Sequence, residues 1–221
     1  MNNNIYRPSN LKHIIINNDI IPKIKSPAIF FDRDGVLIKD CHHIKDPEKV
    51  ILLDGVTDLI KRANKNGWLI IIITNQSGIS RGLFSWEDYE IVTNKMLKLI
   101  GKNLIVNAIY ANGYCNNVNG VEEWRKPNPG MLFQAAIDLN IDLSKSILFG
   151  DRLSDLVAGK RAGLKEVFHL LTGHGKQDRI NVIEAIEEPI KNTLMYDLKK
   201  TSNTKTVLID NLSKFCLNKL S

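Results

Sequence analysis

With 221 residues, 43% of them hydrophobic, the chain can bury one sizeable core, with room for a small appendage. No stretch approaches the roughly 20 uninterrupted apolar residues of a membrane helix, and the opening "MNNNIYRPSN" lacks the charged-then-apolar order of a signal peptide, so a cytoplasmic protein without membrane partners is expected. The net charge of +6 comes from lysines and arginines scattered over amphipathic patterns such as "KRANKNG" and "KMLKLIGK"; these read as solvated helix faces, and the charge suits an anionic small molecule better than a nucleic acid. In chain order, residues 1–26 read as an extension whose patch "HIIINNDII" forms a strand or hairpin at a sheet edge. The segments "PAIFF" (27–31), "WLIIII" (68–73), "NAIYA" (107–111), "SILF" (146–149) and "EVFHLL" (166–171) are short, apolar and rich in Ile, Val and Phe, as buried strands are. Between them, "GVTDLIKRANKNG", "SWEDYEIVTNKMLKLIGK", "NPGMLFQAAIDLN" and "SDLVAGKRAG" repeat apolar residues at helical spacing. Ser85 with Asp88 predicts a capping box, and Asn128-Pro129 an N-cap followed by proline in the first turn. Near the end, "TVLIDNLSKFCLNKL" reads as a strand followed by a closing helix. The alternation predicts an α/β fold, a Rossmann-like parallel sheet with helices on both faces.

Open parallel sheets bind ligands outside the carboxyl ends of their strands. Asp32 and Asp34 of "DRDG" stand at such an end, as do "TNQSG" (74–78) after the second apolar run and "GDRLSD" (150–155) after "SILF". A fourth polar cluster, "RKPNPG" (125–130), closes the loop after "NAIYA". Singly these are ordinary: Asp-x-Asp-Gly suits an Asx-turn in which Gly35 supplies a permissive backbone, and "GDRLSD" suits a turn capped by Ser154 or Asp155. Together, four strand ends deliver groups suited to phosphate into one mouth.

In that order the motifs resemble the haloacid dehalogenase-like phosphatases over roughly residues 27–173. "DRDGV", Thr74, Lys126-Pro127, and Gly150, Asp151 and Asp155 carry the likeness. The strings "TNQSGISRG" and "RKPNPGML" are similar to the branch that contains D-glycero-D-manno-heptose 1,7-bisphosphate phosphatases and histidinol-phosphate phosphatases. The resemblance implies a phosphatase domain over residues 27–221, with capping by loops alone. It implies Asp32 as nucleophile and Mg²⁺ ligand, Asp151 as the second carboxylate ligand and the main-chain carbonyl of Asp34 as the third. A dianionic phosphomonoester repels an anionic nucleophile, so a hard cation that screens both is chemically required, and Mg²⁺ fits. Turned by a bend at Gly35, Asp34 serves as general acid and then as base for the hydrolytic water; this requires crowding by substrate and other carboxylates to keep it partly protonated. Thr74 and Lys126 hold phosphoryl oxygens, with Asp155 orienting Lys126 or the metal shell. Asn75, Gln76, Ser77, Arg81, Arg125 and His43 are expected to bind substrate, Arg125 through a planar fork that suits a second phosphate or a substrate hydroxyl.

One departure stands out. Many relatives in this branch hold zinc ahead of Arg-Lys-Pro with Cys-x-His and Cys-x-Cys ligands, whereas this chain has "ANGYCNNVNGVEEWRKP", where Cys115 is the only thiol. About four N or S ligands are needed, so no structural zinc is expected there. Cys41, Cys115 and Cys216 form no C-x-x-C pair and read as reduced thiols. The expected activity is removal of the C7 phosphate of D-glycero-D-manno-heptose 1,7-bisphosphate in nucleotide-activated heptose biosynthesis, by a monomer. Histidinol-phosphate phosphatase is an alternative, because Glu122 or Glu123 would suit an ammonium. A polynucleotide 3′-phosphatase is another, and a catalytically idle binding protein on the same fold is the alternative outside enzymes.

Overall fold

A computed structural model describes residues 3–17, 21–115, 123–187 and 203–220. The chain begins with a hairpin, β1 (Asn3–Ser9) and β2 (Lys12–Asn17), and then enters β3 (Ala28–Phe31). From there helices and strands alternate: α1 (Val56–Lys65), β4 (Leu69–Asn75), α2 (Trp86–Ile100), β5 (Ala108–Asn112), α3 (Gly130–Leu139), β6 (Ile147–Gly150), α4 (Leu153–Arg161), β7 (Glu166–His169), α5 (Gly175–Glu187) and β8 (Lys205–Leu208). One eight-stranded sheet results, in the order β1-β2-β5-β4-β3-β6-β7-β8. From β5 to β8 every pairing is parallel, while the hairpin adds two antiparallel pairings at one edge. None of the helices among the described residues is long and apolar enough to cross a membrane.

Strand alternation splits the core into two layers. Ile29, Phe31, Ile70, Ile72, Ile147 and Phe149 face α1 and α2. Ala28, Phe30, Ile71, Ile73 and Leu148 face α3, α4 and α5. Since both faces are covered, the central strands read as continuous apolar runs. Ser85 accepts from Asp88 N at 3.1 Å and Asp88 returns the bond to Ser85 N at 2.9 Å, so α2 starts at the expected capping box. The start of α3 falls at Gly130, with Pro129 just outside it.

The tail departs from the expected closing helix. After β8 come two short 3-10 turns, Leu212–Lys214 and Leu217–Leu220. Buried Leu212 and Phe215 are three residues apart, a spacing that one 3-10 turn satisfies without an α-helix. Ser213 Oγ bonds Asn211 Oδ1 at 2.6 Å, and the Leu220 carbonyl accepts from Asn66 Nδ2 and Trp68 Nε1. The tail segments at 188–202 lie outside the described residues.

The sheet order reverses at β3, with β4 and β5 on one side and β6, β7 and β8 on the other. Such a switch point opens a crevice beyond the strand ends. Parallel register sets Phe31 beside Ile72 and Phe149, which brings Asp32, Thr74 and Asp151 to the same rim. Among the described residues, β3 and β4 are joined by loops, a 3-10 turn (Pro47–Lys49) and α1, with no inserted cap domain.

Candidate active site

A cavity of about 660 Å³ opens at this rim. Its floor is a buried ionic cluster. Lys126 Nζ lies 2.8 Å from Asp32 Oδ1 and 2.6 Å from Asp155 Oδ1, and donates to the Ile73 carbonyl at 3.1 Å. Asp155, in the first turn of α4, accepts from Arg152 N with its other oxygen at 3.0 Å. Asp151 is fully buried; its Oδ2 accepts from His174 N at 2.7 Å, and its Oδ1 has no hydrogen-bond partner.

The electrostatics of this floor call for a cation. Three carboxylates, Asp32, Asp151 and Asp155, converge with oxygens within 4.8 Å of one another, against one ammonium. Burial pushes Asp32 up to about 7 against the pull of Lys126, with Asp155 and Asp34 adding to the rise. Burial and the neighbouring Asp32 and Asp155 push Asp151 up to about 8. Lys126 is raised despite its burial, because Asp155 and Asp32 hold it charged. A divalent ion held by Asp32 and Asp151 would relieve the surplus negative charge and give Asp151 Oδ1 a partner. An all-oxygen set of this kind fits Mg²⁺. Gly35 and Gly173 press against Asp151 Oδ2 so closely that a Cβ at either would overlap the carboxylate, and both have positive φ (83° and 55°). The glycine after "DRD" is therefore required by close approach as well as by the turn.

Asp34 has neighbours that the sequence did not foretell. Arg33, between the two aspartates, is 1% exposed, and its guanidinium grips the Asp34 carboxylate at 3.0–3.1 Å. Its charge lies 4.9 Å from the centre of the Tyr89 ring, and Nη1 reaches Thr93 Oγ1 at 3.4 Å. Tyr89 and Thr93 sit four residues apart on α2, so one helix face receives the arginine. Gln76 Nε2 donates to Asp34 Oδ2 at 2.8 Å and to Thr74 Oγ1 at 2.7 Å, tying two strand ends together. Asp34 therefore meets a guanidinium and an amide as well as the neighbouring Asp32 carboxylate.

Each remaining sequence-predicted residue lines the cavity, but the groups are engaged differently. The Asn75 amide makes a reciprocal pair with the Lys126 main chain, at 3.1 and 3.2 Å, which uses the side chain to pin the lysine loop. Arg81 donates to Ser77 O, Ser77 Oγ and His43 Nε2, and so closes one wall. Half-buried Arg125 donates to Tyr114 O at 2.8 Å; desolvation, together with nearby Arg81 and Arg152, depresses its pKa. Arg152 lines the same cavity and was not singled out from sequence; its place directly after Gly150-Asp151 at the end of β6 was the available signal. His42 and His43 have positive φ angles of 44° and 55°, and both line the cavity. Glu123 is exposed and does not line the cavity, and Glu122 lies with residues 116–122 outside the described residues. Cys115 is the described thiol of that loop.

An acidic switch point facing a buried lysine, on a parallel sheet covered on both sides, defines a phosphatase of the haloacid dehalogenase-like class. Residues 27–178 match the family described as Polynucleotide kinase 3 phosphatase, and the chain belongs to it. It is 38% identical over 146 residues to a D-glycero-beta-D-manno-heptose-1,7-bisphosphate 7-phosphatase of Mesorhizobium japonicum, covering 63% of this chain and 67% of that one. It is 35% identical over 150 residues to the alpha-anomer enzyme of Burkholderia mallei, with 64% and 78% covered. The crystal structure of D,D-heptose 1,7-bisphosphate phosphatase from B. bronchiseptica, complexed with magnesium and phosphate, superposes with a TM-score of 0.64 at 31% identity, covering 70% of this chain and 86% of that one.

Proposed function

We propose that the chain is a Mg²⁺-dependent phosphomonoesterase that removes the C7 phosphate of a D-glycero-D-manno-heptose 1,7-bisphosphate, as a cytoplasmic monomer. Residues 27–221 form the catalytic domain in this reading, and residues 1–26 an extension. The observation that carries it is a rim of three arginines, Arg81, Arg125 and Arg152, on the same cavity as the buried Asp32, Asp155 and Lys126. A bisphosphate has one anion for each end of such a cavity.

In this mechanism Lys126 holds one oxygen of Asp32, and the carboxylate attacks phosphorus to form an aspartyl phosphate. Asp32, Asp151 and the Asp34 carbonyl would hold Mg²⁺, which would supply charge screening for the phosphoryl group. Thr74 and Lys126 hold the phosphoryl oxygens, where fixed donors contribute most to the transition state. Asp34, aimed by Arg33 and Gln76, protonates the departing sugar oxygen, then takes a proton from the water that cleaves the acyl phosphate. Arg125, with Arg81 and Arg152, receives the distal phosphate.

Histidinol phosphate would place an ammonium against these arginines, which disfavours it. A polynucleotide end is disfavoured as well, because the cavity lining among the described residues contains no Phe, Tyr or Trp on which a base could stack. The test compares kcat/KM for both anomers of the heptose 1,7-bisphosphate with histidinol phosphate and a 3′-phosphorylated oligonucleotide, with and without Mg²⁺. The bisphosphates should lead by at least tenfold, and Arg125→Ala should erase most of that lead. Faster turnover of histidinol phosphate or of the oligonucleotide would refute the assignment.

A further inference from the structure

Two groups of potential metal ligands converge among the described residues. One is the carboxylate floor above. The second consists of Asp40, His42 and His174, whose ligand atoms lie within 4.8 Å of one another. It joins two loops: Asp40 and His42 follow β3, and His174 follows β7. His174 Nε2 lies 2.8 Å from Asp40 Oδ2, His42 Nδ1 lies 4.0 Å from Asp40 Oδ1, and the two imidazole rings are 5.4 Å apart. The His42 backbone N also donates to Asp40 Oδ1 at 2.9 Å, which fixes the bend that presents its ring. All three residues line both the active-site cavity and a second cavity of about 660 Å³.

We propose that Asp40, His42 and His174 form a second, exchangeable site for a divalent transition-metal ion of the zinc type, separate from the Mg²⁺ site. Two imidazole nitrogens with one carboxylate oxygen are a borderline donor set that suits zinc, whereas Mg²⁺ takes oxygens. Three protein ligands leave a fourth position for water. Bond lengths of about 2.0–2.2 Å require His42, whose Nδ1 lies 4.0 Å from Asp40 Oδ1, to move inward, and its side chain is 81% exposed. That exposure makes the site weaker than a four-ligand structural zinc. When occupied, it staples the loop after β3 to the loop after β7, whose His174 N holds Asp151.

The test uses untagged, metal-stripped full-length protein saturated with Mg²⁺, titrated with Zn²⁺ in competition with a chromophoric chelator. One equivalent should bind, and His42→Ala should weaken it at least tenfold without altering the circular dichroism spectrum. His174→Gln should act likewise, since the bond to Asp151 comes from its main chain. Co²⁺ in the same site should show visible d–d bands without thiolate charge transfer, and Cys41→Ser should leave both readouts unchanged. Absence of Zn²⁺ binding beyond that of His42→Ala would overturn the proposal. So would binding that disappears with Cys41→Ser.

Discussion

At the scale of single residues, the site separates attack from proton transfer by giving two aspartates different partners. Asp32 is held by a buried lysine beside two other carboxylates, whereas Asp34, two residues on, is held by Arg33 and Gln76. Asp32→Asn keeps the shape but loses the nucleophile, so kcat should fall by on the order of 10⁴-fold or more in a Mg²⁺-supplemented phosphatase assay. Asp34→Asn should cost about 10²–10⁴-fold. It should also let a phosphoenzyme accumulate, detectable as a mass increase on acid quenching, because hydrolysis loses its base. Wild-type rates for Asp32→Asn would end the covalent mechanism. Arg33 adds a prediction that the motif alone does not make. Arg33→Met retains volume but frees the Asp34 carboxylate, so kcat should drop on the order of 10–100-fold while KM changes little, as expected for a misaimed proton donor. A KM effect with kcat unchanged would assign Arg33 to substrate binding instead.

Elements explain which of these groups could be seen in advance. Strand ends were legible because buried parallel strands are uninterrupted apolar runs, and the first polar residues after each run, Asp32, Thr74 and Asp151, fall on one rim by register. The α2 start was legible because a capping box is a local contract between Ser85 and Asp88. Arg33 was not, because its burial depends on Tyr89 and Thr93, a helix away in sequence and adjacent only after folding. The tail turns were missed for a similar reason: their periodicity is helical, but their burial is dictated by contact with α1 and its neighbours. Asn75 shows how one element positions another, since β4 holds the Lys126 loop through both ends of a single amide. Asn75→Ala should therefore lower kcat, by about tenfold, through misplacement of Lys126 rather than through lost substrate contact. Ser85→Ala, by contrast, should cost about 1 kcal/mol of stability in urea denaturation. Its kcat should stay unchanged, because the cap lies outside the cavity lining.

For the whole molecule, the site is a store of electrostatic repulsion built into the centre of the sheet. Asp32 and Asp151, each with an ordinary value of 3.8, are pushed up to about 7 and about 8 in the metal-free fold. Below about pH 4 both are protonated whether the chain is folded or not. Between that point and about pH 7–8 the folded state retains protons that the unfolded chain has shed, so stability falls as pH rises through the window. The stability contributed by the retained protons is complete at the acid end and gone above pH 8, where the native state bears the full repulsion. A divalent ion needs the same two groups deprotonated, so Mg²⁺ should stabilise more as pH rises, opposite in sign to the metal-free trend. Thermal unfolding at pH 6.0, 7.0 and 8.0, with chelator and with excess Mg²⁺, is the measurement. The metal-free Tm should decline from pH 6.0 to 8.0 while the Mg²⁺-induced rise in Tm grows; at a hundredfold excess over Kd the ion stabilises the fold by about 2.7 kcal/mol. Asp151→Asn removes one repelling carboxylate from a fully buried place. It should raise the metal-free Tm at pH 8.0 and abolish the Mg²⁺ response together with turnover. A metal-free Tm that rises with pH across this window, or a Mg²⁺ shift that survives Asp151→Asn, would show that these two carboxylates are not the charged centre around which the sheet is built.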